Sequence, residues 1–345
     1  MRKCVILLFC LLACLPIISK KRALLIGIGH YPPKSGWCDI SSINDINILK
    51  TALSNEFIIH VLKDQEATHE GINNAIKHLL QECDKGDTIL LHFSCHGQQV
   101  ITDRPEEPDG LDEALVPYDA YSTISKQYSG DKHYLDNELS HNLDELRRKV
   151  GAAGLVIVTL DACYSGSSHR GENDAPDVIY RGGADILGIE NLSEDSLQIV
   201  LSKQNIEDKT PIDRKEGYSD LLMVSACKSN QKNKEIIKDG IGYGPLSYSI
   251  YLSSCSNSTN DIKKWLSGVR SQMDSLTYTQ TPEIRSSIQD LEIEEVSKIC
   301  PICGKEVCEC DEQLDDSQNV LIPILIGVFL LILVFYCLWI MKKRK

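Results

Sequence analysis

Two short apolar runs constrain this chain more than any other feature. The first is Thr88-Ile89-Leu90-Leu91-His92-Phe93-Ser94, followed by Cys95-His96-Gly97. The second is Leu155-Val156-Ile157-Val158-Thr159-Leu160-Asp161, followed by Ala162-Cys163-Tyr164-Ser165-Gly166-Ser167. Each stops abruptly in small and polar residues. That is the pattern of a strand buried on both faces of a parallel sheet and running out at its C-terminal end. Open α/β sheets bind ligands just beyond the carboxyl ends of their strands. One run delivers a histidine there and the other a cysteine. A thiol acts as a nucleophile only with a nearby base or a lowered pKa. The pair therefore predicts a cysteine peptidase.

The rest of the central region supplies the sheet and its cover. Residues 22–29, 57–62 and 220–227 read as further strands. Residues 43–53, 70–83, 136–150, 244–252 and 260–273 carry helical periodicity. Strands alternating with helices predict βαβ units, hence a mostly parallel central sheet flanked by helices. Residues 103–113 read as a long acidic loop, and 167–217 as a polar loop too long for an ordinary connection, so functional or open to processing.

The ends are apolar. A basic start and an apolar stretch to Ile18 predict a signal peptide over 1–19, with a retained signal anchor as the alternative. Residues 320–340 form a nearly unbroken apolar run of 21 residues. As a helix it would measure about 31 Å, the thickness of a bilayer core. The basic tail 341–345 would stay cytoplasmic and the peptidase domain would lie outside the cytoplasm, on a single-pass membrane protein. A net charge of −13 argues against nucleic acid as a partner. In the linker 291–319, Cys300, Cys303, Cys308 and Cys310 have spacings that could hold a structural zinc, with disulfides as the competing outcome.

Six segments occur in a telling order: RALLIGIGHY, SSINDINIL, HFSCHG, DGLDEALVPYD, LDACYSGSS and MVSACKSNQ with Glu235 following. From residue 22 to 290 the chain resembles the caspase-like cysteine peptidases, metacaspase type. The resemblance implies a caspase-hemoglobinase α/β fold, with a peptidase domain over 20–290. Its parts would be large-subunit-like (20–166), a processing loop (167–217) and small-subunit-like (218–290). By position His96 matches the catalytic base and Cys163 the nucleophile. The N–H groups of Gly97 and Cys163 would receive the oxyanion. Asp161, two residues before Cys163, shares its side of the strand. The resemblance places Asp161, Asp45 and Ser94 in a pocket for arginine or lysine, so protein or peptide substrates would be cut after those residues. Arg181, Lys203, Lys209, Arg214 and Lys215 would then be candidate self-cleavage points.

No cofactor is required for this chemistry. Relatives of this type bind activating calcium through aspartates. Asp136 matches one of these, and Asp109, Asp112 and Glu113 could add oxygen ligands. Asn137 replaces the paired acid, and the acid expected near Arg170 is missing, which argues for a solvated acidic loop instead. Tyr164 stands where the family usually has histidine, and Cys95 where it has glycine, adding a thiol that could be oxidised beside the site. Two other readings are a catalytically silent, membrane-anchored interaction module and a legumain- or transpeptidase-like relative of the same fold.

Overall fold

The computed structural model describes residues 19–105, 107, 109–164, 178–182, 185–193, 212–228, 231–277 and 280–291. The apolar runs lie side by side as expected. A six-stranded sheet has the order β11-β8-β7-β3-β1-β2. Its strands are β1 (Lys21–Gly27), β2 (Ile58–Lys63), β3 (Thr88–Ser94), β7 (Leu155–Asp161), β8 (Asp220–Ser225) and β11 (Glu283–Ser286). Every neighbouring pair is parallel except β11 with β8, which is antiparallel.

Alternation along the strands divides the core between the two faces. Leu24, Ile26, Ile89, Leu91, Phe93, Val156 and Val158 belong to one buried cluster. It is covered by α2 (His69–Glu82) and α3 (Asp136–Val150). Ala23, Leu25, Leu90, Ile157, Leu222 and Val224 belong to the other. It is covered by α1 (Ser42–Leu53), α4 (Pro245–Ser256) and α5 (Ile262–Leu276). Helix α3 shows the logic. Leu139, Leu143, Leu146 and Val150 recur on one face and are all buried. Each such side chain contributes roughly 1.5–3 kcal/mol when removed from water. Layers on both faces leave the strand ends as the open part of the sheet.

The register fixes what meets there. Ser94 pairs with Gly27 on one side and with Asp161 on the other, so three strands end at one level. Cys95, His96 and Gly97 extend from one of them, and Ala162 and Cys163 from its neighbour.

Three features differ from expectation. The acidic stretch 103–113 is not all loop. It leads into β5 (Leu111–Leu115), which pairs antiparallel with β4 (Gly97–Ile101) and with β6 (Tyr134–Leu135) in a small sheet beside the site. A hairpin of β9 (Ile236–Lys238) and β10 (Ile241–Tyr243) follows Glu235. Helices α4 and α5 each run a few residues beyond the expected ends, to Ser256 and Leu276. The stretches 1–18 and 320–340, and the four cysteines from Cys300 to Cys310, lie outside the described residues. Among the described residues, no helix is long and apolar enough to cross a membrane.

Candidate active site

At the C-terminal end of β3 the chain passes through Cys95 and His96 into β4, and His96 sits in a fully buried aromatic setting. Its ring stacks on Trp37 with centroids 4.9 Å apart and leans on Tyr31 at 5.2 Å. Nε2 lies 2.9 Å from the backbone carbonyl oxygen of Cys38. A carbonyl only accepts, so Nε2 carries the proton and Nδ1 holds the lone pair. Nδ1 is buried and makes no hydrogen bond. Burial lowers the pKa to about 4, so the ring is neutral at neutral pH. It is a base with its basic nitrogen uncommitted.

Cys163 lies two residues past the end of the adjacent strand β7 and is fully buried. Its thiol donates to the carbonyl of Gln231 at 3.2 Å. The same carbonyl receives the thiol of Cys227 at 3.4 Å, so the two sulfurs share one acceptor and lie beside one another. That contact is the first cause, ahead of burial, of the raised pKa of Cys227. His96 Nδ1 takes no hydrogen bond from this thiol. The sulfur turns to Gln231, while a segment of the chain lies against the backbone of Cys163.

That segment is 179–182, from the long polar loop. Arg181 is buried to 0% exposure. Its guanidinium lies 2.8 Å from Asp45 Oδ2, 2.8 Å from Glu235 Oε1 and 3.8 Å from Asp161 Oδ1. It also donates to Ser94 Oγ at 2.6 Å. These acids raise its pKa and outweigh the opposing effect of burial, so it is held charged. Gly244 closes the pocket. A Cβ there would overlap Asp161 Oδ2 and crowd the guanidinium, so only glycine leaves room.

The backbone is seated as closely as the side chain. The Arg181 carbonyl oxygen accepts from the N–H of Cys163 at 2.8 Å and from that of Gly97 at 3.4 Å. The Arg181 N–H donates to the carbonyl of Asn233 at 2.9 Å, and Glu235 N–H donates to Ile179 at 2.9 Å. Tyr180 and Lys234 form an antiparallel bridge. Residue 182 is glycine where a Cβ would overlap the carbonyl oxygen of Cys163.

The pocket acids are positioned by further bonds. Asp161 Oδ2 accepts from the backbone N–H and the hydroxyl of Ser247, at 2.7 and 2.6 Å, and its Oδ1 from Asn233 at 2.8 Å. His92, on β3, meets that Ser247 hydroxyl at 3.2 Å. Asp45 accepts from Ser94 at 2.8 Å and from Gly244 N–H at 3.0 Å. Burial pushes Asp45 up to about 7 against the opposing pull of Arg181. Glu235 is fixed by the backbone and hydroxyl of Ser41, both at 2.7 Å.

The sequence named Asp45, Ser94 and Asp161, and all three lie around the Arg181 guanidinium. It named Gly97 and Cys163 as donors, and both N–H groups point at one oxygen. It gave no role to Glu235, Asn233, Cys227 or the Cys38 carbonyl. Glu235 and Cys227 stood within the quoted motif, which was their only sequence signal. Cys95, next to His96 in the chain, packs in the core, with its thiol pushed up to about 12 by burial. Among the other cationic residues of the loop, Arg214 and Lys215 pair with Asp220 and Asp144 instead, and Lys203 and Lys209 lie outside the described residues.

A carboxylate cluster lies under the small sheet. Glu107, Asp112 and Asp136 bring one oxygen each within 4.8 Å of one another. Asp109, expected as a ligand, instead accepts from Leu111 N–H at 3.0 Å. Burial and the neighbouring Asp112 push Asp136 up to about 8. Asp112 Oδ1 and Asp136 Oδ1 are buried without hydrogen bonds, while Asp112 Oδ2 pairs with Arg104 at 2.9 Å. Three hard oxygen donors, two of them with orphaned atoms, fit a calcium ion.

The caspase-domain family model matches residues 20–291. Metacaspase-1 of Schizosaccharomyces pombe is 26% identical over 300 residues, covering 78% of this chain and 68% of that protein. Metacaspase-1B of Aspergillus fumigatus is 25% identical over 302 residues, covering 78% and 70%. A crystal structure of a Geobacter sulfurreducens protein superposes with a TM-score of 0.51 at 22% identity, covering 78% of this chain and 93% of that one.

Proposed function

Because this chain belongs to the caspase-domain family of cysteine peptidases and is similar within it to metacaspases, we propose that it is an endopeptidase cutting after arginine or lysine, held inactive by its own Arg181. One observation supports this most directly. Arg181 places its guanidinium among three carboxylates while its carbonyl oxygen accepts from the N–H groups of Cys163 and Gly97. That is how a substrate would be held.

The chemistry follows from the groups present. His96 Nδ1 takes the proton of the Cys163 thiol. The thiolate attacks the carbonyl carbon of the arginine, and the bond to the next residue's nitrogen breaks. The oxygen, now negative, is stabilised by the N–H groups of Gly97 and Cys163. His96 returns the proton to the departing amine, and water then hydrolyses the thioester. The Cys38 carbonyl fixes the imidazole tautomer, and Trp37 fixes its plane. Asp45, Asp161 and Glu235 set the preference for a cation by charge-assisted bonding. Self-processing would break the Arg181–Gly182 bond, with the antiparallel pairing to 233–235 shared by outside substrates. Calcium held by Glu107, Asp112 and Asp136 would neutralise that cluster and order the 97–115 hairpin.

The apolar ends support a membrane-tethered form, with the signal at 1–19, a span at 320–340 and the peptidase domain outside the cytoplasm. The test of the whole reading is hydrolysis of fluorogenic peptides ending in Arg, Lys or Asp, with and without calcium. Preference for Asp, or activity that persists in Cys163→Ala, would sink it.

A further inference from the structure

Three metal-capable side chains converge at a place that shares no residue with the cleft. His78 and Glu82 lie four apart on α2, so they occupy one helical face. His60 comes from β2, the terminal strand of the sheet. His60 Nε2 is 3.1 Å from Glu82 Oε2, and His78 Nδ1 is 3.9 Å from the same oxygen. The two imidazoles meet edge to face with centroids 5.6 Å apart. One donor atom from each of the three residues lies within 4.8 Å of the others. The two histidines line a hollow of about 250 Å³ with Leu24, Val61, Leu62, Ala75 and Leu79.

We propose that His60, His78 and Glu82 form a zinc site that ties the edge strand β2 to helix α2, with water as the fourth ligand. Two imidazoles and a carboxylate suit zinc rather than calcium or magnesium, which prefer all-oxygen shells. Tetrahedral bonds of roughly 2.0–2.2 Å put ligand atoms about 3.3–3.5 Å apart. The donor atoms, all within 4.8 Å of one another, must therefore close by no more than about 1.5 Å. The two histidine side chains are 41% and 59% exposed, which leaves them room to turn. Arg22 lies 3.4 Å from Glu82 Oε2 and steadies that carboxylate, while its own charge is answered by buried Asp87 at 3.4 Å. With neutral imidazoles, the site and its neighbours carry one net negative charge. An edge strand is where a sheet frays first, so a metal clamp there acts on stability and not on the cleft.

The test uses the full chain carrying Cys163→Ala, which removes both self-cleavage and the thiol of the cleft. Zinc bound at equilibrium is measured against the same chain with His60→Ala and His78→Ala. The paired variant should bind one equivalent less. Cobalt, substituted for zinc, should lose visible d–d absorption with no change in the thiolate charge-transfer band, which separates this site from Cys300–Cys310. The conservative Glu82→Gln variant should retain the helix signal and weaken binding at least tenfold. Equal stoichiometry in parent and paired variant, or unchanged affinity in Glu82→Gln, overturns the proposal.

Discussion

The carbonyl oxygen of Arg181 accepts a 2.8 Å hydrogen bond from the backbone N–H of Cys163, so the residue whose guanidinium lies among three carboxylates also sets its own peptide group against the backbone of Cys163. A buried cation needs its charges answered, and here they are supplied by Asp45, Asp161 and Glu235 on three different elements.

The first expectation concerns the cut itself. Wild-type protein should yield a fragment ending at Arg181 and another beginning at Gly182, read by mass spectrometry. Cys163→Ala should remain whole. Gly182→Val should also stay uncut at this bond, because its side chain would overlap the Cys163 carbonyl. Efficient cleavage after 181 in that variant would contradict the described seating.

Asp161→Asn should lower kcat/KM for arginyl substrates by about 10- to 100-fold, the worth of one to two charge-assisted bonds. The amide oxygen could still accept from Ser247, while its NH2 would face the Asn233 amide nitrogen, donor to donor. An unchanged preference for arginine over a neutral isostere would remove Asp161 from the specificity argument.

The pH profile should report Asp45. Its carboxyl titrates at about 7 because burial disfavours the anion. Its sign is that of a raised acid: it gains a proton, and the pocket loses negative charge, as pH falls through that region. KM for arginyl substrates should therefore rise below about pH 7, and Asp45→Asn should flatten that limb. His96, at about 4, stays neutral across the same range and cannot be the source.

Cys227→Ala removes the thiol beside the nucleophile. A hydrogen bond to a charged group is worth about 1.5 kcal/mol at the low end, or about tenfold. Alkylation of Cys163 by iodoacetamide at neutral pH should slow by about that factor. Equal rates would show that Cys227 is a packing residue alone.

Tethering is checked by extraction. Full-length protein should stay with membranes at alkaline pH, and a chain ending at residue 318 should be released. Release of both would remove the span at 320–340 from the proposal.

Much of this was legible in the sequence because doubly buried strands read as continuous apolar runs. The ends of β3 and β7, and with them His96, Asp161 and Cys163, were set by that signal. Strand β5 was not, since Asp112 and Glu113 make it look solvated. Asp112 is instead buried in its pairing with Arg104. Five cationic residues in one polar loop looked equivalent. What distinguishes Arg181 is a neighbour without a side chain and a partner segment at 233–235, both relationships across the fold. The Cys38 carbonyl could not have been found, because any residue supplies one.

The seating of Arg181 has a consequence for timing. Seventeen residues separate it from Cys163. Breaking the Arg181–Gly182 bond would leave the new carboxyl terminus on that short leash, with its guanidinium still among the same acids. A tether of this length holds its end near the pocket at an effective concentration on the order of millimolar. A free peptide would have to outcompete a captive product at that level. Scission alone would then be a licence rather than a start, and turnover would begin in earnest only when the leash itself was cut.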